Sequence, residues 1–297
     1  MASLRDIRRR IKSTENMQKI TKAMKAVSAA KMRKAQEAVI SARPYAKRIR
    51  GVMGRIAAAS GSVNDPLLAV REPKKVAYVI ITGDQGLCGG FNSNVINMAH
   101  KTIKSDSAEV SLIAVGRKSR DFFRRTGYKI DAEYIGLGND IKYSTAREIN
   151  SIIVNKYSAA EYDAVYLVYS QFVNILVQNP VIMKLLPADA PADAPAAEGE
   201  GQAQSEGQAQ KANYIFEPDS PQQVLAQLMP TYLENAIYQG LLESKAGEQS
   251  ARMTAMENST KSAGDIIDSL TLSMNRARQA AITSEISEIV GGAAALE

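Results

Sequence analysis

The stretch that most constrains this chain is its last eighty or so residues, Ser220 to Glu297. Ser220-Pro221-Gln222-Gln223 has the form of a helix start: a serine cap, proline at the first helical position and glutamine three residues after the cap. Apolar or small residues then recur at Met253, Met256, Thr260, Ala263, Ile267, Leu270, Met274, Ala277 and Ala281, in alternating steps of three and four. That is a heptad seam, and a seam needs a partner helix. About seventy helical residues at 1.5 Å each make a rod on the order of 100 Å long. Pro230 is expected to break this helix near its start, so that the continuous rod begins around Thr231, and Gly291-Gly292 is expected to end it.

The partner lies at the other end of the chain. Ser3-Leu4-Arg5-Asp6 is a second helix start, and Leu4, Ile7, Ile11, Met17, Ile20, Met24 and Val27 form a second seam. Its register slips once, between Ile11 and Met17. The pattern continues, richer in alanine, to Ile56, with a bend expected at Arg43-Pro44-Tyr45 and a loop after Gly51 and Gly54. The two terminal helices are expected to lie antiparallel, with the tip of the longer C-terminal one projecting beyond the pair.

Between them the period changes. Val76–Ile81 reads as a buried strand, followed by the turn Gly83-Asp84-Gln85-Gly86-Leu87-Cys88-Gly89-Gly90 and a helix from Asn92 to Lys104. Strand 110–115, helix 117–125, strand 130–135, helix 144–157 and strand 164–169 follow, and 176–186 is expected to return antiparallel. This alternation argues for an open, largely parallel α/β sheet of Rossmann-like type. Pro187–Lys211 has no large apolar residue and repeats Pro-Ala-Asp-Ala and Gly-Gln-Ala-Gln, so it reads as a disordered acidic insertion. The chain thus divides into a helix over 1–58, an α/β domain over 59–217 with the insertion at 187–211, and a helix over 218–297.

Charge is unevenly spread. Residues 1–58 hold 16 Lys and Arg against 3 Asp and Glu, residues 59–217 hold 16 against 18, and residues 218–297 hold 5 against 10. The basic and acidic helices attract each other, yet positive charge is left over for an outside acidic surface. Cys88 is the only cysteine, so an internal disulfide is excluded and a reducing compartment fits. No apolar run approaches twenty residues, and the N-terminus has no apolar signal core, so the chain is expected to be made and kept in a cytoplasm.

Catalytic constellations do not stand out. The glycine-rich turn follows a strand and precedes a helix, but it lacks the Gly-Lys-Ser/Thr of a phosphate loop and does not match G-x-G-x-x-G; a tight turn presenting a loop is the plainer reading. His100, the lone histidine, and Cys88 read as packed structural residues. Arg8-Arg9-Arg10 and Lys31-Met32-Arg33-Lys34 would suit phosphate contact, although Tyr45 is the helix's one aromatic residue for stacking. A stand-alone nucleotide-binding enzyme with coiled-coil arms and a basic coiled-coil nucleic-acid binder therefore remain alternatives on the residues alone. The C-terminal Ile286, Ile289 and Val290, followed by Gly291-Gly292-Ala293-Ala294-Ala295-Leu296, read either as a frayed end or as a smooth tip for an apolar sleeve.

Three motifs carry a resemblance. LRDIRRRIKSTENMQKITKAMKAVSAAKMRK from Leu4, GDQGLCGGFN from Gly83 and the C-terminal ENAIYQGLLESKAGEQSARMTAMENSTKSAGD with NRARQAAITSEISEIVGGAAAL are similar to the γ subunits of the F-type ATP synthases. The resemblance implies a rotor: a coiled coil inside a ring of three α and three β subunits, and a foot on the membrane c ring beside ε. It implies no cofactor, no metal and no active site of the chain's own, and it fits the cytoplasmic face of a bacterial plasma membrane. Met24, Lys25, Arg33 and Lys34 fall where the family's shaft passes the acidic loop of β. Arg252, Arg276, Arg278, Gln279 and Thr283 fall on its polar catch to β. Arg43, Tyr45, Tyr214, Phe216 and Glu217 fall on the foot, near ε and the c ring. Gly83 stands where a Ser or Thr is commoner, and the insertion has no cysteine for a thiol switch.

Overall fold

A computed structural model describes residues 4–60, 67–188 and 221–294. The elements, in order, are α1 (Leu4–Ser60), β1 (Lys75–Ile81), α2 (Phe91–Ser105), β2 (Glu109–Val115), α3 (Arg117–Arg125), β3 (Lys129–Tyr134), α4 (Tyr143–Ser158), β4 (Ala164–Phe172), β5 (Gln178–Leu186) and α5 (Pro221–Ala294). Residues up to Ala30, together with those from Arg252 onward, form one compact unit, and Lys31–Ala251 form the other.

The second unit is built on a five-stranded sheet in the order β3-β2-β1-β4-β5. The first four strands are parallel, and β5 returns antiparallel beside β4, as expected. All of β1 after Lys75 is buried, because a parallel strand is covered on both faces. Its side chains alternate between those faces. Ala77, Val79 and Ile81 pack with Ile149 and Ile153 of α4, Met53 of α1 and Leu233 and Ile237 of α5. Val76, Tyr78 and Ile80 pack with Val95 and Ala99 of α2 and Phe123 of α3. At the carboxyl end of the strands Gly116 has φ 95°, and a β-carbon there would lie 2.2 Å from the Thr82 carbonyl oxygen, so only glycine fits.

Two expectations about helix ends are corrected. Helix α5 starts at Pro221 and passes through Pro230 without a break, and it continues through Gly291 and Gly292 to Ala294. Helix α1 passes through Pro44, Gly51 and Gly54 to Ser60 rather than ending in a loop near Ala57. A helix-interior proline costs roughly 3 kcal/mol. Burial of Leu225, Met229, Leu233 and Ile237 on either side of Pro230 outweighs that, at about 1.5–3 kcal/mol for each large apolar side chain. Of the insertion, Pro187 and Ala188 are within the described residues; the Ala188 amide donates to the Leu67 carbonyl and the residue is buried. The remainder, 189–211, and the expected cap at Ser220 lie outside the described residues.

In the first unit the two helices run antiparallel. Thr21 faces Thr260, and Lys25 faces Glu257. On α5 every position of the expected seam is buried or half-buried, with Met256 and Ala263 buried. On α1 the expected seam holds at Leu4, Ile7 and Ile11, with Met24 half-buried, and departs from the expectation at Met17, Ile20 and Val27. Met17, Ile20 and Val27 are 57, 56 and 53% exposed, and the inward line is Leu4, Ile7, Ile11, Thr14, Gln18, Thr21, Lys25 and Ser28. Those steps of three and four contain no slip. Hydroxyls and amides can occupy the seam because the helix supplies their partners: Thr14 donates to the Arg10 carbonyl, Thr21 to that of Gln18, and Gln18 reaches the Thr260 carbonyl across the interface.

Candidate partner-binding site

The glycine-rich turn at the end of β1 is a closed, self-satisfied loop. Leu87 and Gly89 take positive φ. The Gly83 amide donates to Asn92 Oδ1 at 2.8 Å, and Asn92 Nδ2 donates to the Gln85 carbonyl and to Cys88 Sγ. Asp84 accepts from the backbone amides of Arg117 and Gly136, tying three loops together. Doubly wound sheets bind phosphates outside this edge. Here Glu248 of α5 stands over Gly83, 3.0 Å from where a β-carbon would be, and Lys245 pairs with it at 3.2 Å. The residual cavity between them is about 30 Å³. A ligand pocket needs roughly ten times that volume. The space over Gly83 is thus filled by the chain's own carboxylate.

The other residues weighed as chemical groups are a buried thiol and a half-buried imidazole. Cys88 is buried. His100 lies edge-on to Phe122, Phe123 and Tyr128, with centroid distances of 5.4 to 6.4 Å. Among the described residues no group of His, Cys, Asp and Glu could hold a metal ion, and no helix is long and apolar enough to cross a membrane.

What the chain does offer is surface. In the first unit Met24 is half-buried, and the Lys25 ammonium pairs with Glu257 at 2.7 Å, both side chains being substantially exposed. Such a pair contributes at most about 1 kcal/mol and exchanges easily for another carboxylate. Further along α5, Arg276, Gln279 and Thr283 share one exposed stripe, while Arg278 points roughly 200° round the helix from Arg276. The Thr283 hydroxyl donates to the Gln279 carbonyl, leaving its lone pairs outward. Arg252 differs from the rest of that group in being buried, at 6% exposure. Beside these polar groups the same unit exposes Met17, Ile20 and Val27 of α1 and Ile266, Leu272, Ile282, Ile286, Ile289 and Val290 of α5.

In the second unit Arg33 is exposed, and Lys34 pairs with Asp140 of the β3–α4 loop at 2.7 Å. Arg43 turns toward the end of β4, donating to the Phe172 carbonyl at 3.2 Å and standing 4.0 Å from the buried carboxylate of Glu243. Tyr45, half exposed, lines an open cavity of about 390 Å³ with Tyr143 and Tyr238. Burial and a hydrogen bond to Glu234 push the Tyr143 hydroxyl well above the usual phenol range. Tyr214, Phe216 and Glu217 lie outside the described residues. Sequence reading missed the β4–β5 turn, where Val173, Ile175, Leu176 and Val177 are exposed. A turn without glycine and with four large apolar residues was the available signal.

The sequence profile of a family described as ATP synthase matches residues 3–296. The chain is 70% identical over 297 residues to an ATP synthase gamma chain of Pelotomaculum thermopropionicum, covering all of both chains. It is 55% identical to one of Desulforudis audaxviator, again over the whole of both. Among solved structures it superposes on a chain of the Euglena gracilis mitochondrial ATP synthase, determined with OSCP, F1 and the c-ring, with a TM-score of 0.70. That match is 20% identical and covers 99% of this chain and 94% of the other. A chain of the central stalk and c-ring of the Tetrahymena thermophila enzyme gives 0.58 at 24% identity, covering 80% of this chain and 98% of that one. With its helices, its sheet and its motifs all accounted for over the full length, the chain belongs to the ATP synthase gamma-chain family.

Proposed function

We propose that the chain is the rotating central shaft of a bacterial ATP synthase, coupling proton flow through a membrane c ring to ATP synthesis and hydrolysis on the α and β subunits. It contributes no active site of its own. One copy serves three αβ pairs, with ε and the c ring at its foot, on the cytoplasmic face of the plasma membrane.

The observation that carries this reading is the inverted α1 seam. A free-standing coiled coil buries its large apolar residues and exposes its threonines; here Met17, Ile20 and Val27 face outward while Thr14, Gln18, Thr21 and Ser28 face in. Exposing that stripe is unfavourable in water, by about 25 cal/mol per Å² of apolar surface. It becomes favourable inside an apolar sleeve, where thin polar seam residues also keep the shaft narrow. In this reading Met24, Lys25, Arg33 and Lys34 meet the acidic loop of β, the Lys25–Glu257 and Lys34–Asp140 pairs exchanging partners as the shaft turns. Arg252, Arg276, Arg278, Gln279 and Thr283 hold β higher on the shaft. Arg43, Tyr45, Tyr214, Phe216 and Glu217 belong to the foot, with ε and the c ring.

Reconstitution tests it. Mixing the chain with separately purified α and β subunits should give a complex with one copy per three αβ pairs and raise sustained ATP hydrolysis. A chain ending after Thr254 should assemble poorly. A chain that stays free of α and β, or that binds duplex DNA or hydrolyses nucleotide alone, overturns the reading.

A further inference from the structure

The C-terminal half of α1 carries cations that the surrounding fold does not answer. From Ala38 to Ser60 the helix holds Arg43, Lys47, Arg48, Arg50 and Arg55 and no carboxylate. Arg43 is taken up by the Phe172 carbonyl and Glu243. The other four are exposed, and among the described residues none of them makes an ion pair. At 100° per residue they fan over roughly 160° of the helix, opposite Ile49, Met53 and Ile56, which are buried in the core of the second unit. Arg55 folds back one turn, its Nη1 lying 3.8 Å from where a β-carbon on Gly51 would be. Three residues apart, Lys47 and Arg50 are neighbours on the helix surface and repel each other. The start of α5 offers no relief: Pro221 to Leu233 shares that core and carries no charge.

The chain itself holds a match for this face. Residues 189–220 contain seven Asp and Glu against one Lys. Ala188, where that segment begins, is buried in the same core cluster as Ile49, Met53 and Ile56, and so is Leu225, one turn into the helix where it ends. Both ends therefore leave from the inward side of the α1 stretch whose outward side bears the four cations. Such a length of chain can span up to roughly 105 Å, and a helix is about 10–12 Å across, so the acids reach the face with chain to spare. Being tethered, they meet it at an effective concentration on the order of millimolar, ahead of an anionic surface in dilute solution.

We infer that residues 189–220 dock on the outward face of α1 between Lys47 and Arg55, their carboxylates pairing with Lys47, Arg48, Arg50 and Arg55. The contact is made within one chain and does not depend on the stalk reading. While made, it keeps those four cations from phosphates and from other acidic surfaces.

Proteolysis of the full chain tests it. Elastase cuts after small residues, and the segment offers Ala196, Ala197, Ala203 and Ala209. These sites should be cut about tenfold more slowly at roughly 20 mM salt than at roughly 500 mM, because salt screens pairs between exposed charges. Lys47→Glu, Arg48→Glu, Arg50→Glu and Arg55→Glu together should make cleavage fast at both salts. Asp193→Lys, Glu198→Lys, Glu200→Lys and Glu206→Lys, which alter no helix or strand, should do the same. Combining the two sets should bring slow cleavage at low salt back. In the unsubstituted chain a carbodiimide, which joins an ammonium to a carboxylate it touches, should couple Lys47 to an acid of the segment. Cleavage equally fast at both salts in the unsubstituted chain, protection that survives either set alone, or no recovery in the combined chain overturns the inference. So does a Lys47 crosslink to a second copy or to another part of the chain. None of these outcomes bears on assembly with α and β.

Discussion

The hydroxyls of Thr21 and Thr260 meet at 2.8 Å across the antiparallel pair of helices, at a position where a coiled coil ordinarily places leucine or isoleucine. Thr260 donates its own proton to the Met256 carbonyl, so the contact uses the Thr21 proton, which is shared with the Gln18 carbonyl at 3.1 Å. Replacing Thr21 alone by valine leaves the Thr260 oxygen short of a donor and should cost about 1 kcal/mol. Replacing both by valine should cost less than the sum, since no orphaned group remains. Thermal unfolding of the two single variants and the double variant closes the cycle; additive losses would deny the contact any coupling.

The outward apolar stripe gives the opposite pattern. Met17→Gln, Ile20→Gln and Val27→Thr together should leave the melting temperature of the free chain nearly unchanged, because exposed positions usually matter by less than about 0.5 kcal/mol each. Their solubility should rise while assembly with α and β weakens. A comparable loss of stability in the free chain would mean the stripe is used internally.

Two helical glycines on α5 should respond with opposite signs. A β-carbon at Gly240 would lie 2.9 Å from Leu167 Cδ2 and 3.4 Å from Ile81 Cδ1, both fully or nearly fully buried and unable to yield. Overpacking costs about 1–3 kcal/mol and exceeds the roughly 1 kcal/mol that alanine gains in a helix, so Gly240→Ala should destabilise. At Gly264 the neighbour is the flexible end of the Gln18 side chain, at 3.2 Å, and the whole cost of its swinging aside is the long 3.4 Å bond to the Thr260 carbonyl. Gly264→Ala should therefore raise the melting temperature.

Asp131 should make the sheet unit acid-sensitive. Burial alone would raise its pKa, but the hydrogen bonds from Lys156 and Tyr162 and the charge of Lys129 outweigh it and hold the carboxyl below its ordinary range. A depressed folded pKa contributes stability that is complete above the unfolded value, about 4, and is lost as pH falls through the lower folded value. Asp131→Asn should cost about 2 kcal/mol at neutral pH and flatten the acid limb of a stability–pH curve. An unchanged acid limb would assign that limb to other carboxylates.

The sequence by itself determined the elements. Strand-then-helix alternation, the antiparallel return of β5 and the α5 seam from Met253 to Ala281 all follow from local period and propensity, which need no knowledge of neighbours. The motifs from Leu4, from Gly83 and in the C-terminal helix likewise carried the family without coordinates. Tertiary structure decided what local rules leave degenerate. Helix α1 has two parallel stripes one residue apart, 14-18-21-28 and 17-20-24-27, and hydrophobicity selects the second. Packing selects the first, because threonine and glutamine find hydrogen-bond partners on the two backbones and allow the helices close approach. Pro230 likewise breaks a helix by local rules, yet the burial of Leu225 and Leu233 on either side holds α5 continuous. The β4–β5 turn at Leu176 carried a signal in its run of apolar residues without glycine, but its exposure was decided when Asn174 and Ser250 fixed its backbone, for exposure is a property of the folded surface and not of a residue's type.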